Sequence, residues 1–196
     1  MPSLAKRVKN PSPRSKCYGQ RLKTAIYFKL DHRMAKRRKK KTVRIIHQSP
    51  GPLPARIAGQ YAGQPLVFSD ASAKRNGGLA AVLFSAPDAE AIVATQSVPL
   101  DGSNALEFQA VLFALSQAWL HFPGRQFSLF TDNRDAADRF QRAGSLGLEQ
   151  DAELADCLNR LGITEAFAHA SIRWIKGHAS CRGNTLADLH AAEAAS

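Results

Sequence analysis

From Leu66 onward, apolar and polar positions alternate in short runs that predict strands over 66–70, 78–85 and 90–98, separated by turn signals at 74–77 and at "APDA". Three consecutive strands with short connections make an antiparallel meander. The period then changes. In "DGSNALEFQAVLFALSQAWLHF", Leu106, Ala110, Phe113, Ala114 and Trp119 fall near one helical face, with Ser103 or Asn104 able to cap. "GRQFSLFTD" reads as a further strand ending on Asp132, and "NRDAADRFQRAG" as a helix stopping at Gly144. "EQDAELADCLNRLG" is an amphipathic helix with acids in its first turns and Gly162 at its end. "ASIRWIKG" and "GNTLADLHAAEAAS" close the chain as a strand and a helix. The predicted order, β β β α β α α β α, implies an α/β fold: a five-stranded mixed sheet with helices on its faces.

Upstream of Leu66 the pattern is lost. Residues 1–55 are too charged, and their apolar positions too scattered, to build a core, and they are expected to form a disordered basic arm. Residues 56–65 have the small-residue, Gly- and Pro-containing composition of a linker, which leaves 66–196 as the globular domain. Charge sharpens this division. Residues 1–64 hold 17 of the 27 Lys and Arg and a single acid, Asp31, a net +16, whereas the remainder has 10 basic and 15 acidic residues, a net −5. A basic arm on a mildly acidic domain points to a polyanionic partner, nucleic acid first, because Lys and Arg release counterions when they meet phosphates.

Cys17, Cys157 and Cys181 are odd in number and widely spaced, matching neither a disulfide framework nor a zinc site, so a reducing compartment is expected. No apolar run approaches the roughly 20 residues of a membrane span. The expected location is the cytoplasm, or the nucleus or mitochondrion if the arm is a targeting segment. Met34, just ahead of "AKRRKKKTVR", is an alternative start.

The candidate chemistry lies in carboxylates. Asp70 and Asp132 each end an apolar strand, so if those strands are adjacent and parallel their side chains meet at one sheet edge, where open α/β sheets place ligands. Glu107 lies in the first turn of the long helix, and Asp188 sits among Leu186, Ala187, Ala191 and Ala192 of the last. Taken singly, Asp70 reads as a turn cap, Glu107 as a helix-start charge and Asp188 as a helix-surface acid. Together they would repel one another unless cations compensate. Oxygen-only ligation suits Mg²⁺, and two such ions about 4 Å apart can activate water and stabilise the leaving oxygen in phosphodiester cleavage.

The segment "RWIKGHASCRGNTLADLHAAEAA" resembles the C-terminal signature of the type 1 ribonuclease H family, in which W-x-K-G-H is followed by Asn and Asp, here His178, Asn184 and Asp188. "LVFSDAS" resembles that family's first catalytic strand, "SNALEFQAV" its Glu-bearing helix and "LFTDN" its second Asp strand. The resemblance covers residues 66–196. It implies the ribonuclease H-like fold, with Asp70, Glu107, Asp132 and Asp188 as ligands of two Mg²⁺ ions, Mn²⁺ able to substitute, and His178 assisting proton transfer or product release. It also implies Asn104 and Asn184 as substrate-binding residues, and endonucleolytic hydrolysis of the RNA strand of RNA–DNA hybrids, leaving 5′-phosphate and 3′-hydroxyl ends. The 2′-hydroxyls of a wide, shallow minor groove would provide the discrimination. The other reading is a noncatalytic or differently specific nucleic-acid-binding protein on the same fold. The expected assembly is a monomer.

The chain departs from the family pattern where Ala71 replaces the Gly of D-G-S and "AKRNGG" makes a compact first turn. Between Asp132 and His178 there is room for two helices, and Glu149, Asp151, Glu153 and Asp156 stand where many members carry a basic handle. The basic arm is expected to grip the hybrid in its place. Trp119 and Trp174 are expected as core aromatics, Cys181 as a loop thiol, and His121, His169 and His190 as structural or exposed.

Overall fold

The computed structural model describes residues 51–177 and 181–196. The basic arm through residue 50, and His178, lie outside the described residues. The meander forms as β1 (Leu66–Ala73), β2 (Gly77–Phe84) and β3 (Ile92–Val98), paired antiparallel in sequence order. β4 (Phe127–Thr131) then pairs parallel to β1, and β5 (Ala170–Trp174) parallel to β4, giving one sheet in the order β3-β2-β1-β4-β5.

The period of two sorts the strands onto two cores. Val67, Ala81, Leu83, Phe127 and Leu129 point to one face, which is covered by the helices α2 (Ser103–His121), α3 (Arg134–Leu146), α4 (Ala152–Leu161) and α5 (Thr164–His169). Their alternates Leu66, Phe68, Val82, Phe84 and Phe130 point to the other face, covered by the final helix α6 (Arg182–Ala194). β1, β2 and β4 are covered on both sides and are buried over most or all of their length; β3 is an edge strand whose residues are all exposed or half-buried. α6 approaches β2 so closely that a Cβ on Gly78 would stand 2.1 Å from the Ala191 carbonyl oxygen, so Gly is required there.

Several boundaries differ from the sequence reading. β1 continues three residues past Asp70, because its antiparallel partner β2 runs on after the parallel pairing to β4 has stopped. α3 passes through Gly144 and ends at Gly147, whose φ of 99° suits Gly; Gly162 ends α4 in the left-handed region, as expected. Neither Ser103 nor Asn104 is the cap of α2; Gly102 holds that position. Three helices, not two, lie between Asp132 and His178, since the six-residue α5 adds to α3 and α4.

The stretch expected to be a linker, together with residues 51–55 expected at the end of the disordered arm, is ordered onto the domain. It forms a short helix, α1 (Ala55–Ala58), and a 3₁₀ turn (Gly59–Tyr61). Leu53 is buried, Ile57 packs on the α6-side core, and Tyr61 meets Phe130 edge-on at 5.1 Å between ring centroids. No helix among the described residues is long and apolar enough to cross a membrane.

Candidate active site

The parallel pairing of β1 with β4 runs through Ser69 and Thr131, so the next residues, Asp70 and Asp132, emerge side by side where that ladder ends. This is the juxtaposition expected if the two strands were parallel neighbours. Asp70 is 6% exposed, and one of its carboxylate oxygens accepts a hydrogen bond from the Ala71 N–H at 2.8 Å. Glu107 enters from the first turns of α2, which lies across β1 and β2 because Leu106, Ala110 and Val111 bury against the sheet. Asp70, Glu107 and Asp132 each offer a carboxylate oxygen within 4.8 Å of the others.

The electrostatics follow from that crowding. Burial first, then the Asp132 charge, pushes the Asp70 carboxyl up to about 7, while the Ala71 hydrogen bond opposes the shift. Glu107 is pushed up to about 8 by burial and then by Asp70, Asp132 and Asp188. Glu107 Oε2 is buried with no hydrogen-bond partner among the described residues. An orphaned carboxylate oxygen in an all-oxygen cluster of like charges fits a hard divalent cation, which would satisfy the oxygen and offset the repulsion. Among the described residues, no sulfur or imidazole donor of the kind zinc prefers joins these three acids.

The other expected site residues divide. Asp188 is exposed on α6 and stands outside the 4.8 Å group, but close enough that its charge raises both Asp70 and Glu107. Asn104 is exposed at the start of α2, where its side-chain oxygen accepts from Asn133 Nδ2 at 3.4 Å. Asn184, expected at the substrate, is 1% exposed in the first turn of α6, and its side-chain oxygen is buried with no hydrogen-bond partner among the described residues.

Two features beside Asp132 escaped the sequence reading. Trp174, expected in the core, is 43% exposed because it stands at the end of β5, where its indole N–H donates to the Asp132 carbonyl at 3.0 Å. Gly177 passes so close to the Asp132 carboxylate that a Cβ there would meet Oδ2 at 2.5 Å. Both lie within the W-x-K-G-H motif, the one available signal. Cys181, expected as a loop thiol, is fully buried at the N-cap of α6, and burial pushes its pKa up.

The RNase H family model matches residues 63–196, and the chain belongs to the RNase H family. Among solved structures, the N-terminal RNase H domain of a Mycobacterium tuberculosis protein is similar at 17% identity and a TM-score of 0.51, over 67% of this chain and 93% of that one. LC9-RNase H1, described as a type 1 RNase H with the type 2 active-site motif, is similar at 22% identity and a TM-score of 0.51, over 68% and 72% of the two chains. RNase H1 from the halophilic archaeon Halobacterium salinarum aligns at 21% identity and a TM-score of 0.48, over 67% and 97%. No curated protein matches the chain significantly in sequence.

Proposed function

We propose that the chain is a metal-dependent endoribonuclease that hydrolyses the RNA strand of RNA–DNA hybrids, leaving 5′-phosphate and 3′-hydroxyl ends. The observation that carries the proposal is the convergence of Asp70, Glu107 and Asp132 within 4.8 Å at the end of a parallel strand pair in an RNase H family chain. Asp70, Glu107 and Asp132 would hold two Mg²⁺ ions, or Mn²⁺ in their place, with Asp188 contributing negative charge from the rim. Bound divalent ions would supply a nucleophilic water at neutral pH and neutralise charge at the leaving oxygen.

The chain's own residues would orient and select. Asn104 and Asn133, joined beside the acids, offer amide donors and acceptors to a minor groove in which only the RNA strand carries 2′-hydroxyls. Asn133 is held for this by capping α3, its side-chain oxygen accepting from the Ala136 N–H at 2.8 Å. His178 would move a proton near the scissile phosphate, and the basic arm would supply the phosphate grip that the acidic α4 region cannot. The test is cleavage of a labelled RNA–DNA hybrid with Mg²⁺ or Mn²⁺, beside duplex DNA and duplex RNA, with Asp70→Asn and Asp132→Asn. Hybrid-only cleavage that both variants abolish is expected. Binding without cleavage would favour a noncatalytic protein, and equal activity in all three would mark a contaminant.

A further inference from the structure

We infer that Trp174 and Gly177 are positioning residues for Asp132, one fixing its backbone and the other shaping the space in which its carboxylate stands. The inference rests on the proposal that Asp132 is a metal ligand. It begins with an oddity of burial. Trp174 is a large aromatic at the end of an edge strand, 43% exposed, where an apolar ring would ordinarily be drawn into a core. Its placement makes sense through its polar tip. The β4–β5 register pairs Thr131 with Trp174, so the indole lies alongside the residue after Thr131, and its N–H reaches the Asp132 carbonyl. The Arg134 guanidinium lies 5.5 Å from the ring centroid, so the indole meets the residues on either side of Asn133, Asp132 through its carbonyl and Arg134 through its side chain.

The chain then turns back over the same residue. The Ile175 N–H donates to the Thr131 carbonyl at 2.9 Å, carrying the ladder one step beyond β5 and bringing Gly177 against the Asp132 side chain. A Cβ at Gly177 would lie 2.5 Å from Oδ2, closer than such contacts allow, and a tight 3.3 Å from Cγ. The atom it meets is the far end of a rotatable side chain. A methyl there would cost the fold little, because the carboxylate can swing aside, but that swing would move a ligand oxygen out of the three-carboxylate group. Sites of this kind lose function when a supporting group lets a ligand drift by a fraction of an ångström.

The experiment measures Mn²⁺ binding to the full chain by calorimetry, for wild type, Asp132→Asn, Gly177→Ala and Trp174→Phe, with thermal unfolding of each in chelator. Trp174→Phe keeps an aromatic ring beneath Arg134 and removes only the N–H donor. Both positioning variants are expected to bind Mn²⁺ about 10–100-fold more weakly, the usual cost of removing a group that orients a metal ligand. They should melt within a few degrees of wild type, and lower kcat on a hybrid with KM unchanged. Wild-type Mn²⁺ affinity in either variant overturns the role assigned to that residue, as does a weakening matched by a large fall in melting temperature. Wild-type affinity in Asp132→Asn instead removes Asp132 from the metal site and overturns the reading on which the inference rests.

Discussion

Replacing Asp70 by Asn should stabilise the metal-free protein at neutral and alkaline pH. Asp70 is 6% exposed and its carboxyl is pushed up from 3.8 to about 7; Glu107, which Asp70 repels, is pushed up from 4.5 to about 8. Both folded values exceed the unfolded ones, so the folded chain binds protons that the unfolded chain has released. The stability this contributes is complete below about pH 4 and is lost as pH rises through about 7 for Asp70 and about 8 for Glu107. At 1.36 kcal/mol per unit, the Asp70 shift alone sets an upper limit of about 4 kcal/mol. The two acids titrate as a coupled pair, so their penalties do not add.

Asn keeps the shape of Asp70, its amide oxygen can still accept from the Ala71 N–H, and it removes one charge from beside Glu107 and Asp132. An advantage of about 1–3 kcal/mol over wild type is expected at pH 8, which for a domain of this size is roughly 3–10 °C in melting temperature. The assay is thermal unfolding in chelator from pH 5 to pH 8.5. The advantage should fall by more than half at pH 5, where folded wild type is already protonated, and Mg²⁺ or Mn²⁺ should stabilise wild type more than the variant. An Asp70→Asn protein that melts at or below wild type at pH 8, or an advantage that ignores pH, would refute the argument.

A second stability effect, at the start of α4, has the opposite sign. Asp151 accepts two hydrogen bonds from Arg139, at 2.6 and 2.8 Å, and caps α4 through the Leu154 N–H, which holds its carboxyl down at about 2. That stabilisation is present above about pH 4 and lost as pH falls through about 2, so Asp151→Asn should cost about 1–2 kcal/mol in urea unfolding at pH 7. The difference should vanish near pH 2. For the arm, deletion of residues 1–50 should lower the slope of log hybrid affinity against log salt, by roughly 0.9 for each phosphate that the arm neutralises; an unchanged slope would remove the gripping role. The deletion must spare Leu53, Ile57 and Tyr61, which pack on the α6-side core.

What the sequence disclosed, and what it hid, follow one physical division. The sheet, the long helix and the meeting of Asp70 with Asp132 were legible because burial imposes a period, and a charge that interrupts the period stands out. Features fixed by the approach of distant segments left no such mark. Trp174 is apolar by type and so reads as core, yet the hydrogen bond from its indole N–H to Asp132 holds it in water. Cys181 reads as loop because Gly and polar residues surround it, yet an extended N-cap conformation turns it inward. Leu53, Ile57 and Tyr61 are too few to announce a core; Leu53 buries, and Ile57 and Tyr61 pack half-buried, because Phe130 and its neighbours present a surface ready for them. Gly177 is the sharpest case. Its importance is a space of one methyl group beside a carboxylate that lies 45 residues earlier in the chain, and only the closure of β5 onto β4 brings the two together. The three acids that meet could therefore be picked out from sequence, whereas the residues packed beside Asp132 had to await the fold.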